Sequence, residues 1–151
     1  GRGRIAMINH DLSYKYARLR ERGYKSVIHL KDLAYQAVEY ASDLSFGAGM
    51  AAMQNLLKEN PPDAVFAVSD TLAAGALHAI QQAGLRVPED IAVVGFDGTE
   101  LADMISLTTI EQPSRDIGRK AVDLLLNKID NPDAPTERVM MDWRFISRAS
   151  A

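Results

Sequence analysis

The chain has 151 residues, 47% hydrophobic and 25% charged, which suits one domain with a buried interior. Its 20 acidic against 17 basic residues give a net charge of −3, which argues against the basic stripe a nucleic-acid module uses to displace phosphate counterions. With no cysteine there can be no disulfide, no thiol catalysis and no cysteine-held zinc, and no apolar run approaches the roughly 18 residues of a membrane helix.

In chain order, Ile5-Ala6-Met7-Ile8 reads as a first strand. Ser13 is expected to cap a helix reaching about Leu30, with Leu19, Val27 and Ile28 among its buried positions. Tyr35–Tyr40 is a weaker strand, followed by a helix from about Ser45 to Lys58 that Asn60-Pro61-Pro62-Asp63 stops. Ala64–Val68 is a buried strand. Asp70 is the expected cap of the alanine-rich helix Thr71–Ala83, and Gly84 ends it. Pro88 marks a turn, Ile91–Val94 is the fourth strand, and Leu107–Glu111 is extended. Pro113 breaks that segment, and Ser114 is expected to cap a helix to about Ile129. A loop through Asn131-Pro132-Asp133-Ala134-Pro135 then leads to a last strand, Arg138–Ile146.

Strands alternating with helices in this way make βαβ units, hence an α/β fold with a mostly parallel open sheet and helices on both faces. Such sheets bind ligands in the crevice outside the carboxyl ends of their strands. Those ends carry Asn9 and Asp11, then Ser42 and Asp43, then Ser69 and Asp70, and finally Asp97 between Gly95 and Gly98. Each residue alone fits turn and cap chemistry as well as binding. Their convergence on one sheet edge favours binding.

Other chemistries fit poorly. His10, His29 and His78 match no metal-ligand spacing, and no calcium loop is present. Ser69-Asp70 lies between a strand and a helix but lacks the glycines of a nucleophile elbow. Phe46-Gly47-Ala48-Gly49 is neither a Walker loop nor a dinucleotide fingerprint, and its glycines serve helix packing. No metal, no cofactor and no catalytic residue is therefore assigned. Carboxylate, amide and hydroxyl groups at strand ends suit a polyhydroxylated ligand, and Arg20, one turn from Tyr16 and Tyr24, adds a fork of charged donors.

Several of these strings, taken together, resemble the LacI/GalR transcriptional regulators. They are Pro62–Asp70 with Ala73-Ala74-Gly75-Ala76-Leu77, Gly84–Ile91 followed by Val93-Val94-Gly95-Phe96-Asp97, Leu107-Thr108-Thr109-Ile110, Gln112-Pro113, and Arg20-Glu21-Arg22-Gly23-Tyr24. The resemblance runs the length of the chain. It implies one lobe of a periplasmic-binding-protein-like sensor that would begin at the second lobe, with a helix-turn-helix headpiece and most of the first lobe lying before Gly1. On that basis residues 1–111 would form the C-terminal lobe, 112–141 a crossover associated with the other lobe, and 142–151 a returning strand and tail. The resemblance also implies effector contacts from Arg20, Ser69, Asp97 and Gln112. Asp70 follows a ligand-contacting position, Leu44 stands where many members place an aromatic ring, and Phe46 is available to replace it. Ala74, Leu77, Met104 and Ile105 fall in segments that pair subunits, so a homodimer is expected. Three departures stand out: Ser69 where asparagine is commoner, Gly98 where a polar side chain is usual, and a short Thr99–Ser106 segment without its proline.

The expected function is that of a cytoplasmic, non-enzymatic regulator sensing a small polar effector, a sugar or related polyol because Leu44 offers no flat ring to a purine. DNA would be touched only through the headpiece. The alternative is a sugar-binding receptor of a transport system.

Overall fold

The computed structural model describes residues 2–151. Six strands form one sheet: β1 (Ile5–Asn9), β2 (Ala37–Tyr40), β3 (Ala64–Ala67), β4 (Ala92–Asp97), β5 (Thr108–Glu111) and β6 (Arg144–Ile146). Their order is β2-β1-β3-β4-β5-β6, parallel throughout except for β6, which runs antiparallel to β5. The helices are α1 (Lys15–Leu30), α2 (Phe46–Leu56), α3 (Asp70–Gln82), α4 (Glu100–Met104) and α5 (Ser114–Asp130).

The chain steps from β1 to β2 in one direction, then returns past β1 to β3 and β4 in the other. Right-handed crossovers therefore put α1 on one face of the sheet and α2 and α3 on the other. The reversal falls between β1 and β3, where a crevice opens at the strands' carboxyl ends. Met7, Ile8, Val65 and Val93 fill the sheet's interior, and Met53, Leu72 and Ile80 cover it from the α2–α3 side, all nearly solvent-free. That continuous apolar run is what a sheet covered on both faces requires.

Helices α2 and α3 approach closely because glycine stands at their contact. A Cβ on Gly49 would lie 2.3 Å from the Leu72 carbonyl oxygen, and one on Gly75 would lie 2.1 Å from that of Phe46. The expected packing role of the Gly47/Gly49 pair thus falls on Gly49.

Several expectations are corrected. Ser13 does not cap α1; Tyr14 is the cap residue and makes no side-chain bond, while the Ser13 N–H is held by Asp11 Oδ1 at 2.8 Å. Leu19 and Val27 are about half exposed, because the buried stripe of α1 runs through Ala17, Glu21, Tyr24 and Ile28 instead. Ser114 opens α5 without capping it, as Pro113 precedes it in the cap position. The last strand is only Arg144–Ile146, since pairing with β5 ends at Glu111↔Arg144. The short Thr99–Ser106 segment, for which the sequence predicts no element, holds the five-residue α4. Helix α5 buries none of its residues, although Ile117, Val122, Leu125, Leu126 and Ile129 give it an apolar side.

Candidate functional site

Asp97 ends β4 with a backbone φ of 121°, a region that a residue with a side chain rarely enters. Two partners converge on its Oδ1. Gln112 Nε2, just past the end of β5, donates to it at 3.0 Å, and Arg20 Nη2 lies 3.5 Å away. Parallel pairing of Asp97 with Glu111 brings Gln112 alongside, and its backbone N–H also donates to the Asp97 carbonyl at 3.2 Å. Burial pushes the Asp97 carboxyl above its ordinary value of 3.8; Arg20 opposes that rise and the nearby Asp70 adds to it. The carboxylate nevertheless keeps 36% of its side-chain surface open to solvent. Strained backbone, partial desolvation and an open face together describe an acceptor poised for a further donor.

Arg20 is held by contacts within the protein. Its guanidinium lies 3.6 Å from the centre of the Phe96 ring and 5.1 Å from that of Tyr16, one turn earlier on α1, and Nη1 donates to the Val68 carbonyl. Stacking of this kind suits arginine's flat, weakly hydrated cation. Burial lowers its pKa below the ordinary guanidinium value, with Asp97 as the largest opposing influence, and the group stays charged at any working pH.

Tyr16 continues the site towards β1. Its hydroxyl lies 3.0 Å from His10 Nδ1, and the His10, Tyr14 and Tyr16 rings sit within 5.1–6.4 Å of one another. His10, Tyr14 and Phe96 were missing from the sequence-based site. The signal available for Tyr16 was its i, i+4 spacing to Arg20, whereas nothing local marks His10 or Phe96.

Not every strand-end residue serves the crevice. Asn9 is fully buried and turns inward, donating to Glu21 and the Ala17 carbonyl to brace α1. Asp11 and Asp43 accept the backbone N–H groups two residues on, at 2.8 Å each, as aspartate turns.

The expected roles of Ser69 and Asp70 are partly exchanged. Ser69 is the α3 cap, its Oγ accepting the Leu72 N–H at 3.2 Å. Asp70 is not a cap and is not open to a ligand: it is 1% exposed, and both its oxygens are occupied by Thr99 and Thr109. Gly95 lies within β4 rather than at a turn, where a Cβ would come 2.5 Å from Asp70 Oδ1; it leaves room for that carboxylate. Gly98 is explained too. At φ 73° a Cβ there would lie 2.5 Å from Glu111 Cγ and 2.6 Å from its Cα, so the side chain usual at this position has no space.

Leu44 and Phe46 are both about two-fifths exposed. Phe46 opens α2 with its ring 5.5 Å from His78, and together with Ala74, Leu77 and Ile105 it lines an apolar groove of about 260 Å³. Its ring is therefore grouped with the expected subunit-pairing residues and shares no contact with Asp97. Met104 is 83% exposed. Among the described residues no group of acidic, histidine or cysteine side chains is arranged to hold a metal, and no helix is long and apolar enough to cross a membrane.

The family profile described as "Periplasmic binding protein-like domain" matches residues 1–151. The chain belongs to this family, in the form found in LacI-type regulators. This periplasmic-binding-protein-like domain is 38% identical to the ribose operon repressor of Escherichia coli over 155 residues, covering 100% of the chain and 47% of the repressor. It superposes on a dimeric Lac repressor with a C-terminal deletion at a TM-score of 0.90 and 33% identity, covering 99% of this chain and 56% of that one. It also superposes on a LacI family regulator from Enterococcus faecium with bound ribose, at a TM-score of 0.89 and 28% identity, over 99% and 57% of the two chains. The domain thus spans about half the length of the curated relatives it matches.

Proposed function

We propose that this domain is the effector-sensing part of a transcriptional regulator, and that its effector is a small sugar such as ribose. The observation that carries the reading is the Asp97 carboxylate, held between Arg20 and Gln112 at the strand-end crevice with an open face. A carboxylate accepts from vicinal hydroxyls, a guanidinium and an amide donate to their oxygens, and the Tyr16 ring offers an apolar face. Ser69, whose hydroxyl proton is not used by its cap bond, supplies one more donor. Relatives named for ribose, or carrying it, fit this chemistry.

The bare side of α5 supports the assignment of residues 112–141 to a second lobe, which closes over the ligand. The groove around Leu77 and Phe46, with the exposed Met104, supports pairing of two copies along α3 and α4. Occupancy of the crevice then biases DNA binding by a segment elsewhere in the protein, with a coupling of typically about 1–3 kcal/mol.

A thermal-shift panel of pentoses, hexoses, disaccharides, nucleosides and purines on the intact protein tests the reading. Stabilisation by D-ribose is expected, and stabilisation by a nucleobase alone overturns the sugar assignment. Leu77→Glu is expected to shift the protein from dimer to monomer in light scattering; an unchanged dimer mass removes α3 from the interface.

A further inference from the structure

A buried carboxylate is costly unless its oxygens are satisfied, and Asp70 is such a group: 1% exposed, with no ion pair among the described residues, although Arg20 lies near enough to feel its charge. Its partners are all neutral donors. The Thr99 N–H reaches Oδ2 at 2.7 Å, the Thr99 hydroxyl reaches the same oxygen at 2.9 Å, and the Thr109 hydroxyl reaches Oδ1 at 2.6 Å. Ser69 already caps α3, so these three bonds are not needed for the cap and instead join the first turn of α3 to the Thr99 turn and to β5.

The geometry points to Asp70 as a positioning residue for the effector site, one that sets ligand affinity by holding the Asp97–Gly98–Thr99 turn and β5 in register beneath the ligand. Thr99 is two residues after Asp97, and Thr109 is three before Gln112, so one carboxylate grips both segments that deliver the cradle. Thr99 is the cap residue of α4, yet its hydroxyl makes no cap bond there and goes to Asp70 instead. Gly95, paired directly with Thr109, leaves out the Cβ that would collide with Asp70. The backbone of Asp97, at φ 121°, needs an external hold of this kind to persist. The ligand named in the test rests on the sugar reading; the bracing itself does not.

The test uses the intact protein with Asp70→Asn, whose amide would turn a donor towards a hydroxyl or N–H donor. Calorimetry with D-ribose is expected to show affinity falling about tenfold or more for Asp70→Asn. Thr109→Val is expected to lose affinity while Thr109→Ser keeps it within about twofold. In an Asp97→Ala background, Asp70→Asn is expected to cost less than about twofold more, because its effect passes through Asp97. Wild-type affinity in Asp70→Asn, or an equal loss in both backgrounds, overturns the proposal. Should Asp70→Asn not fold, Thr99→Val, which removes one bond at an exposed position, is read in its place with the same criteria. If the wild type takes up no ribose, the sugar reading fails, and amide hydrogen exchange decides on Asp70. Exchange at Thr99 and Gln112 is then expected to rise about tenfold in the variant while Val93 stays protected. Unchanged exchange at Thr99 refutes the bracing.

Discussion

Replacing Asp97 by asparagine keeps the shape of the side chain and one acceptor oxygen, and removes only the charge. Three consequences follow from its surroundings. A ligand hydroxyl that donated to a carboxylate now donates to an amide, forfeiting most of a charge-assisted bond of about 1.5–3 kcal/mol. Arg20, whose side chain is 16% exposed, loses its counter-charge at 3.5 Å, and a ligand must then dock beside a poorly paired cation. The folded protein itself gains slightly, because burial already disfavours the Asp97 charge. The expected outcome is a loss of about 3 kcal/mol in D-ribose affinity, roughly 150-fold in Kd, measured by calorimetry on the intact protein. The unliganded thermal midpoint is expected to hold or rise. Unchanged affinity, or a fall in midpoint that tracks the fall in affinity, would refute the reasoning, since it would make Asp97 structural.

The same carboxyl has a pH signature. Its pKa lies above 3.8, so the folded state binds that proton more tightly than the unfolded chain; ribose affinity is expected to fall as pH drops through the raised value, while Asp97→Asn stays flat. A wild-type affinity constant down to the ordinary aspartate range counts against it. Gly98→Ala is expected to lose about 1–3 kcal/mol in chemical denaturation, combining a Cβ at 2.5 Å from Glu111 with a strained φ of 73°. Ser69→Ala should lose about 1 kcal/mol of stability as a missing α3 cap. It should weaken ribose further only if the hydroxyl also donates to it, which calorimetry separates from the melt.

Much of the site was legible because parallel sheets impose a positional rule. Alternating strand and helix segments gave the strand ends, and the strand ends carried Ser69 and Asp97. Arg20 was legible through helical spacing and family resemblance together. The exchange of roles between Ser69 and Asp70 was not, since both residue types cap helices and only the packing of β5 against β4 shows where Asp70 turns. Phe96 was hidden for a similar reason, since its stacking on Arg20 joins segments dozens of residues apart; His10 is only six residues from Tyr16, but the turn that brings the two rings together carries no helical or strand periodicity. The buried face of α1 was misread at Leu19 and Val27, whose hydrophobicity outweighed that of Glu21. The latter is buried because Lys25, Asn9 and Tyr40 satisfy its carboxylate. Leu19 and Val27 are left outside the stripe of α1 that faces the sheet. Gly98 departs from the family pattern, and its cause is a neighbour on another strand that no local string reveals.

The central claim is that Asp97, Arg20 and Gln112 form a cradle for a sugar. The most direct measurement is a crystal structure of the intact protein with D-ribose. The account predicts ribose hydroxyls within about 3 Å of the Asp97 carboxylate and of the Arg20 guanidinium. Ribose bound elsewhere, with Asp97 still facing only Gln112 and Arg20, would contradict it.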